Sequence, residues 1–267
     1  MATPSIYLLS TAALPPELVE EAAQKGMMLE AEAYISIEPV ADEALGTRIR
    51  ELGRQPLTAI FTSTNAVEAV KRWTGPGAAA AGAPDWRIFC IEGATRRAVA
   101  DYFGEAAIAG TAESATTLAA AVGADADERT FEGTADIRSD SSVVGQDRNG
   151  GTKEIFFFCG DQRRGELPAM LRAEGFEVNE CIVYRTLLTP RKAERVYAGI
   201  AFFSPSAAES YFSLNTVADD VTLFAIGRTT AAAIQARCSN TVIIGDRPGK
   251  EALIRTMTDY FQTNNKE

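Results

Sequence analysis

The sequence predicts an α/β protein of the doubly wound, parallel-sheet kind, built twice over. Three observations carry this: short apolar runs of strand length alternate with helical segments, proline and hydroxyl residues mark helix starts, and the first half of the chain is repeated in the second. Apolar character that is continuous along each run marks strands buried on both faces, as helices packed on either side of a parallel sheet require.

The elements follow in order. IYLLS at 6–10 leads to Pro15 and Pro16, which suit the first turn of a helix over ELVEEAAQKG with Gly26 as its stop. AEAYISIEPV at 31–40 is extended and β-rich. Strands are then expected at AIFTS (59–63), IFCIE (88–92), AAIAG (106–110) and EIFFFCG (154–160), each followed by a helix. ECIVYRTLLTP at 180–190 is a second extended segment, and pairing it with 31–40 would form a two-stranded connector. GIAFFS (199–204), TLFAIG (222–227) and TVIIG (241–245) complete the strands, with Ser206 expected to cap the helix AAESYFSL.

The repeat keeps this order. Residues 6–26 superpose on 155–175, Gly26 falling on Gly175; 59–70 superpose on 200–211, Ser63 on Ser204; and 88–122 superpose on 223–257, Gly93 on Gly227 and Thr95 on Thr229. An internal duplication of about 110 residues per copy accounts for all three matches. The stretch 125–151 has no counterpart. It is acidic and rich in Gly and Ser, and reads as a mobile surface excursion, with a short hairpin at 131–137 as the lesser reading.

With 267 residues, 46% of them apolar, the chain can bury a sizeable core. It contains no histidine, which excludes Ser-His-Asp and Cys-His catalysis, His-ligated zinc and imidazole acid–base chemistry. Its 26 basic and 36 acidic residues give a net charge of −10, which argues against nucleic acid or an anionic membrane as partner but leaves room for a local anion site. Cys90, Cys159, Cys181 and Cys238 form no CxxC pair and mostly lie in apolar runs, so they read as reduced thiols of a cytoplasmic protein, with metal binding or disulfides the lesser reading. Neither a signal peptide nor an apolar span of membrane length is expected.

Ligands of open α/β sheets bind beyond the carboxyl ends of the strands. Small hydroxyl and glycine residues recur there: Thr62-Ser63-Thr64-Asn65, Gly93-Ala94-Thr95, Gly160-Asp161, Ser204-Pro205-Ser206 and Gly227-Arg228-Thr229-Thr230. Each loop offers amide and hydroxyl donors at a positive helix end, suited to carboxylate or phosphate. Taken singly each is equally a helix cap; taken together, in two matching sets, they point to one anionic ligand. Arg96, Arg97, Arg163, Arg164, Arg185 and Arg228 lie beside these loops, either for the same ligand or for ion pairs. Tyr184, in the second extended segment, is either a packed aromatic or a phenol able to give a proton to a leaving hydroxyl.

These motifs, in this order, resemble the uroporphyrinogen-III synthase family over nearly the whole chain outside 125–151. AIFTSTNAVEAV is similar to the family's FTS-x-x-AV segment, IEGATRRAV to VG-x-x-T, and CGDQRRGELPAMLRAEGFEVNECIVYRT to G-x-x-x-R-x-x-L…VY-x-T; FFSPSAAESYF and FAIGRTTAAAI are similar to its FSPS and AIG-x-T-T-A signatures. Glu92 departs from the pattern, standing where an apolar residue is usual.

The resemblance implies two flavodoxin-like domains, 1–37 with 186–267 and 38–185, joined by the two-stranded connector, with the cleft between them as the site. It implies an enzyme without cofactor or metal that closes hydroxymethylbilane, a linear tetrapyrrole, to uroporphyrinogen III, by loss of the terminal hydroxyl to an azafulvene and inversion of the last pyrrole ring through a spiro intermediate. Tyr184 becomes the residue assisting the hydroxyl's departure, and Thr62, Ser63, Thr64, Asn65, Gly93, Thr95, Gly160, Arg164, Ser204, Pro205, Ser206, Gly227, Thr229 and Thr230 the substrate-binding set. A cytoplasmic monomer supplied by hydroxymethylbilane synthase is implied as well. The alternatives are a non-catalytic tetrapyrrole-binding or regulatory module of the same fold, which Glu92 favours, and a two-domain sensor of another small anion.

Overall fold

The computed structural model describes residues 6–75, 84–135, 154–247 and 249–264. The chain divides into two compact units, one of residues 1–36 with 186–267 and the other of 37–185.

The first unit holds a five-stranded parallel sheet. Its strands are β1 (Ile6–Ser10), β2 (Met27–Ala31), β9 (Gly199–Phe202), β10 (Thr222–Ala225) and β11 (Val242–Ile244), in the order β11-β10-β9-β1-β2. Counted along the chain this is 2-1-3-4-5, the flavodoxin-like order. The helices α7 (Pro205–Phe212) and α8 (Arg228–Gln235) cover one face, burying Ile200, Phe202 and Leu223, while α1 (Pro16–Gln24) and α9 (Lys250–Asn264) cover the other around Leu8, Phe224 and Met257.

The second unit holds β4 (Leu57–Phe61), β5 (Trp86–Ile91), β6 (Ile108–Ala112), β7 (Glu154–Gly160) and β8 (Glu177–Leu188), which pair in parallel in the order β8-β7-β4-β5-β6, with β3 (Ile35–Pro39) outside β8. Started at β7 and continued into β4, this is again 2-1-3-4-5. Each sheet therefore takes its first βα unit from one half of the chain and its last three from the other, and the repeat pairs 6–26 with 155–175, 59–70 with 200–211 and 88–122 with 223–257 occupy equivalent places. On one face α2 (Glu43–Leu52), α3 (Thr64–Thr74) and α4 (Ala94–Phe103) enclose an aromatic stack in which Phe158 lies 5.2 Å from Phe61 and 5.1 Å from Trp86. The Trp86 indole N–H donates to the Leu52 carbonyl at 3.1 Å, so the burial of this ring leaves no polar atom unmatched. On the other face α5 (Ala115–Ala135) and α6 (Glu166–Ala173) close over Ile60, Phe89 and Phe157.

The chain passes from the first unit to the second within β3 and returns within β8. The Val40 N–H donates to the Val183 carbonyl at 2.9 Å and the Thr189 N–H to the Tyr34 carbonyl at 3.0 Å, so these two strands run antiparallel.

All eight apolar runs form strands. Three local expectations are corrected. The cap of α7 is Ser204, whose Oγ accepts the Ala207 N–H at 3.0 Å; Ser206 lies inside the helix because Pro205, with no N–H to lose and its φ already helical, occupies the first position. The extended segment expected at 31–40 is two strands, 27–31 and 35–39; the first begins four residues early, in a stretch the apolar pattern does not mark because only Met27 and Leu29 of its five residues are buried. Residues 125–135, expected to begin an irregular excursion or hairpin, continue α5; the rest of that stretch, 136–151, lies outside the described residues.

Candidate functional site

In each unit the loops beyond the carboxyl ends of the strands stand level. In the second, Phe61 pairs with both Phe158 and Cys90, so β4, β7 and β5 reach their ends level, about 4.8 Å from strand to strand; two residues beyond these pairs stand Gly160, the last residue of β7, and Ser63 and Glu92, in the loops that leave β4 and β5. Tyr184 pairs with Gly160 and extends this row to a fourth strand. In the first unit the same reasoning places Ala13, Ser204, Gly227 and Asp246 just beyond level strand ends, through the pairs Ser10 with Ala201, Ala225 with Phe202 and Ala225 with Ile244.

The local sequence explains each position. Ser63, extended at φ −149°, caps α3, its Oγ accepting the Asn65 N–H at 3.2 Å, and Ser204 does the same for α7. Thr62, Thr64 and Asn65 are half-buried around that turn, and Pro205 is exposed beside Ser206. The equivalent loops at Gly93 and Gly227 differ. Gly93 has φ +84°, where a Cβ would be strained, whereas Gly227 is extended at φ −175°, a conformation open to any residue. Glu92 is the cause: it is one residue more than the second copy carries before its glycine. Its carboxylate accepts a hydrogen bond from the Thr111 hydroxyl on the neighbouring strand.

Not every expected hydroxyl reaches this surface. Thr229 is exposed, but Thr95 and Thr230 are 6% and 3% exposed, turned under the first turns of α4 and α8. They pack the loops rather than line them. Gly160 is buried because the Tyr184 ring lies on it: a Cβ built there would stand 2.5 Å from Cε2 and Cζ and 2.8 Å from the hydroxyl oxygen. Tyr184 itself is half-buried, packed at the margin of the aromatic core. The structure thus brings together two residues that the sequence offered separately.

The arginines sort into two groups. Arg163 and Arg172 both bind the Glu180 carboxylate, Arg172 at 2.7 Å, and Arg96 pairs with Glu105 at 2.5 Å. Burial alone would raise the Glu180 carboxyl, but the hydrogen bonds from Arg172 and Arg163 outweigh it and hold the group below its ordinary value. Arg97, Arg185 and Arg228 are exposed and form no ion pair among the described residues; Arg164 is exposed too. The buried thiols are poor nucleophiles. Desolvation pushes Cys90 up to about 11 and Cys159 up to about 12.

Sequence reasoning missed Ser10 and Thr11, which sit at the β1–β9 junction where the strand order reverses. Thr11 is fully buried, its hydroxyl donating to the Ala201 carbonyl at 2.9 Å, and the Ser10 hydroxyl donates to the Ala12 carbonyl at 2.6 Å. The repeat carried the signal, since Thr11 superposes on Gly160. A separate groove of about 810 Å³, lined by Leu14, Asp246, Arg247, Lys250 and Arg255 among others, holds none of the hydroxyl-bearing loop residues.

Two comparisons match this architecture. The family model described as uroporphyrinogen-III synthase HemD matches residues 16–255. Among solved structures, a mutant uroporphyrinogen III synthase from the extremely thermophilic bacterium Thermus thermophilus superposes with a TM-score of 0.60 at 15% identity, covering 98% of this chain and 100% of that one. Uroporphyrinogen-III synthetase from Helicobacter pylori 26695 superposes with a TM-score of 0.56 at 13% identity, covering 96% and 99%. No curated protein matches the chain. At these identities the two structures show a common fold, while the family match extends over most of the sequence.

Proposed function

The chain belongs to the uroporphyrinogen-III synthase family, cyclising lyases of porphyrin biosynthesis that convert hydroxymethylbilane to uroporphyrinogen III, and from that premise we propose how its residues perform the reaction. The observation that carries the proposal is the pairing of Tyr184 with Gly160 at the end of β7, in a sheet whose next two strands, β4 and β5, end level with it and lead into the loops of Ser63 and Gly93, with their amide and hydroxyl groups.

The bilane can close without help to the wrong isomer, so catalysis is mainly a matter of orientation and of charge placed where it develops. Each unit offers donors suited to the substrate's carboxylates at first helical turns: in the second, the Thr62–Asn65 loop and the Gly93 amide at α3 and α4; in the first, Ser204–Ser206, Gly227 and Thr229 at α7 and α8. Exposed Arg97, Arg164, Arg185 and Arg228 supply positive charge without requiring a basic protein. Tyr184 then donates its hydroxyl proton to the terminal hydroxyl of the bilane, which leaves as water while the pyrrole nitrogen's electron pair forms the azafulvenium cation; loss of that ring's N–H proton, which restores the phenol, gives the azafulvene. Attack by the far ring, inversion and closure follow on the held substrate.

Glu92, which favoured the non-catalytic alternative, is engaged by Thr111 and leaves the neighbouring amides to the ligand. The described residues contain no helix long and apolar enough to cross a membrane. We further propose that the enzyme acts as a monomer in the cytoplasm and receives its substrate from hydroxymethylbilane synthase. The test is incubation with enzymatically generated hydroxymethylbilane and separation of the product isomers. Type III product above the spontaneous background is expected, and type I alone overturns the proposal.

A further inference from the structure

We propose that Gly160 is a positioning residue for this reaction: its bare backbone is the seat on which the Tyr184 ring lies, and it sets where the phenol hydroxyl stands. The inference rests on Tyr184 being the proton donor.

The geometry is built in three steps. First, β7 and β8 run in even register from Glu154 with Glu177 to Cys159 with Ile182, and then slip by one, so that Gly160 meets Tyr184 instead of Val183. Such a bulge re-aims a side chain; Val183 stays in the core with Cys181, and Tyr184, placed opposite Gly160 at the end of β7, lays its ring there at the margin of that core. Second, the Asp161 N–H donates to the Tyr184 carbonyl at 3.2 Å, which fixes the slipped register at the level of the backbone. Third, residues paired across a sheet project to the same face, so the side chain of residue 160 and the Tyr184 ring compete for one space. Glycine resolves the competition in favour of the ring, which settles where a methyl group would stand 2.5 Å from two of its carbons.

The duplicated half supplies an internal control. Thr11 stands at the place equivalent to Gly160, and its side chain is accommodated and hydrogen-bonded to the Ala201 carbonyl. The first copy also has a tyrosine beside this place, Tyr34, whose N–H donates to the Thr11 carbonyl at 3.3 Å, but its ring is buried in the core, 5.2 Å from that of Tyr211; the strand end therefore demands glycine only where a ring lies across it, as Tyr184 does on Gly160. Because the ring is half-exposed, an added methyl group displaces the ring and not the strand. A displacement on the order of 1 Å lies within what can cost roughly 100-fold in rate while leaving the fold in place.

The experiment is a double-mutant cycle on Gly160→Ala and Tyr184→Phe in the full chain, reading kcat, KM, isomer ratio and melting temperature. The expected result is a fall in kcat of about 10- to 100-fold for Gly160→Ala, with KM changed by less than about 3-fold, and no further loss when Gly160→Ala is added to Tyr184→Phe. Losses that multiply in the double variant overturn the proposal, because Gly160 then acts independently of the phenol. So does an unchanged kcat for Gly160→Ala, and so does a drop in melting temperature of more than about 5 °C, which marks the contact as packing. Wild-type turnover in Tyr184→Phe alone overturns the assignment of the donor itself, an outcome read without any change at Gly160.

Discussion

Tyr184 illustrates how little a single residue type reveals before its neighbours are known. A tyrosine in an extended segment is either a packed aromatic or a working phenol, and the structure shows features of both, the ring at the margin of the core and the hydroxyl at the strand end. Tyr184→Phe keeps the ring and removes one oxygen. Turnover is expected to fall by roughly 100-fold or more, within the range of general acid catalysis, while stability stays within about 0.5 kcal/mol; steady-state kinetics and thermal denaturation check the two halves. Glu180 shows the opposite case, a residue whose role is stability. Its folded carboxyl is held below its ordinary value, so the contribution of the Arg172 and Arg163 pairs is full above the unfolded pKa and is lost as pH falls through the lower, folded one. Glu180→Gln is therefore expected to cost on the order of 1 kcal/mol at pH 7, and the gap from wild type should close well below pH 4.5.

Helix starts were the most legible elements, because a cap is a local device. Ser63 and Ser204 superpose in the repeat, and both accept an N–H from the first turn of the helix that follows. Replacing either with alanine should lower stability by about 1 kcal/mol, measurable by chemical denaturation, and should raise KM for the polycarboxylate substrate by loosening the loop. The misplaced expectations at this scale have separate causes. Serine favours the cap position, which points to Ser206, but the Pro205 ring already occupies the first turn. Thr95 and Thr230 look like loop donors from their spacing, yet helical periodicity turns one side of the first turn inward, and which side depends on how the helix lies on its sheet. Residues 125–135 lack the strong periodicity that would announce a helix; α5 continues through them from its well-packed start at Leu118, Ala119 and Val122.

At the scale of the whole molecule the absence of histidine has a consequence for pH dependence. Tyr34 is raised to about 12 by burial, and Cys90 and Cys159 stand at about 11 and 12, with Cys181, Tyr197 and Tyr211 shifted in the same direction. Groups whose folded pKa is raised stabilise fully below their unfolded value and lose that contribution as pH rises through the folded one. With no histidine to titrate near neutrality, stability should fall from about pH 9, where the unfolded thiols ionise, towards about pH 12. Each group ionised only in the unfolded chain adds about 1.4 kcal/mol of loss per pH unit, and urea midpoints across this range test the slope.

The sequence by itself determined most strands, most helix starts and the duplication, because burial on both faces, capping and repetition are written in local composition. It also carried the family, through motifs in order. Composition and periodicity are compatible with each half folding alone; the exchange of first βα units, which only the family resemblance implied, is visible in the strand order of the two sheets. The tertiary structure alone seated Tyr184 on Gly160, which depends on a one-residue slip in strand register that no local pattern announces. And it alone separated exposed loop donors from buried ones, because orientation about a helix axis is set by packing against the sheet.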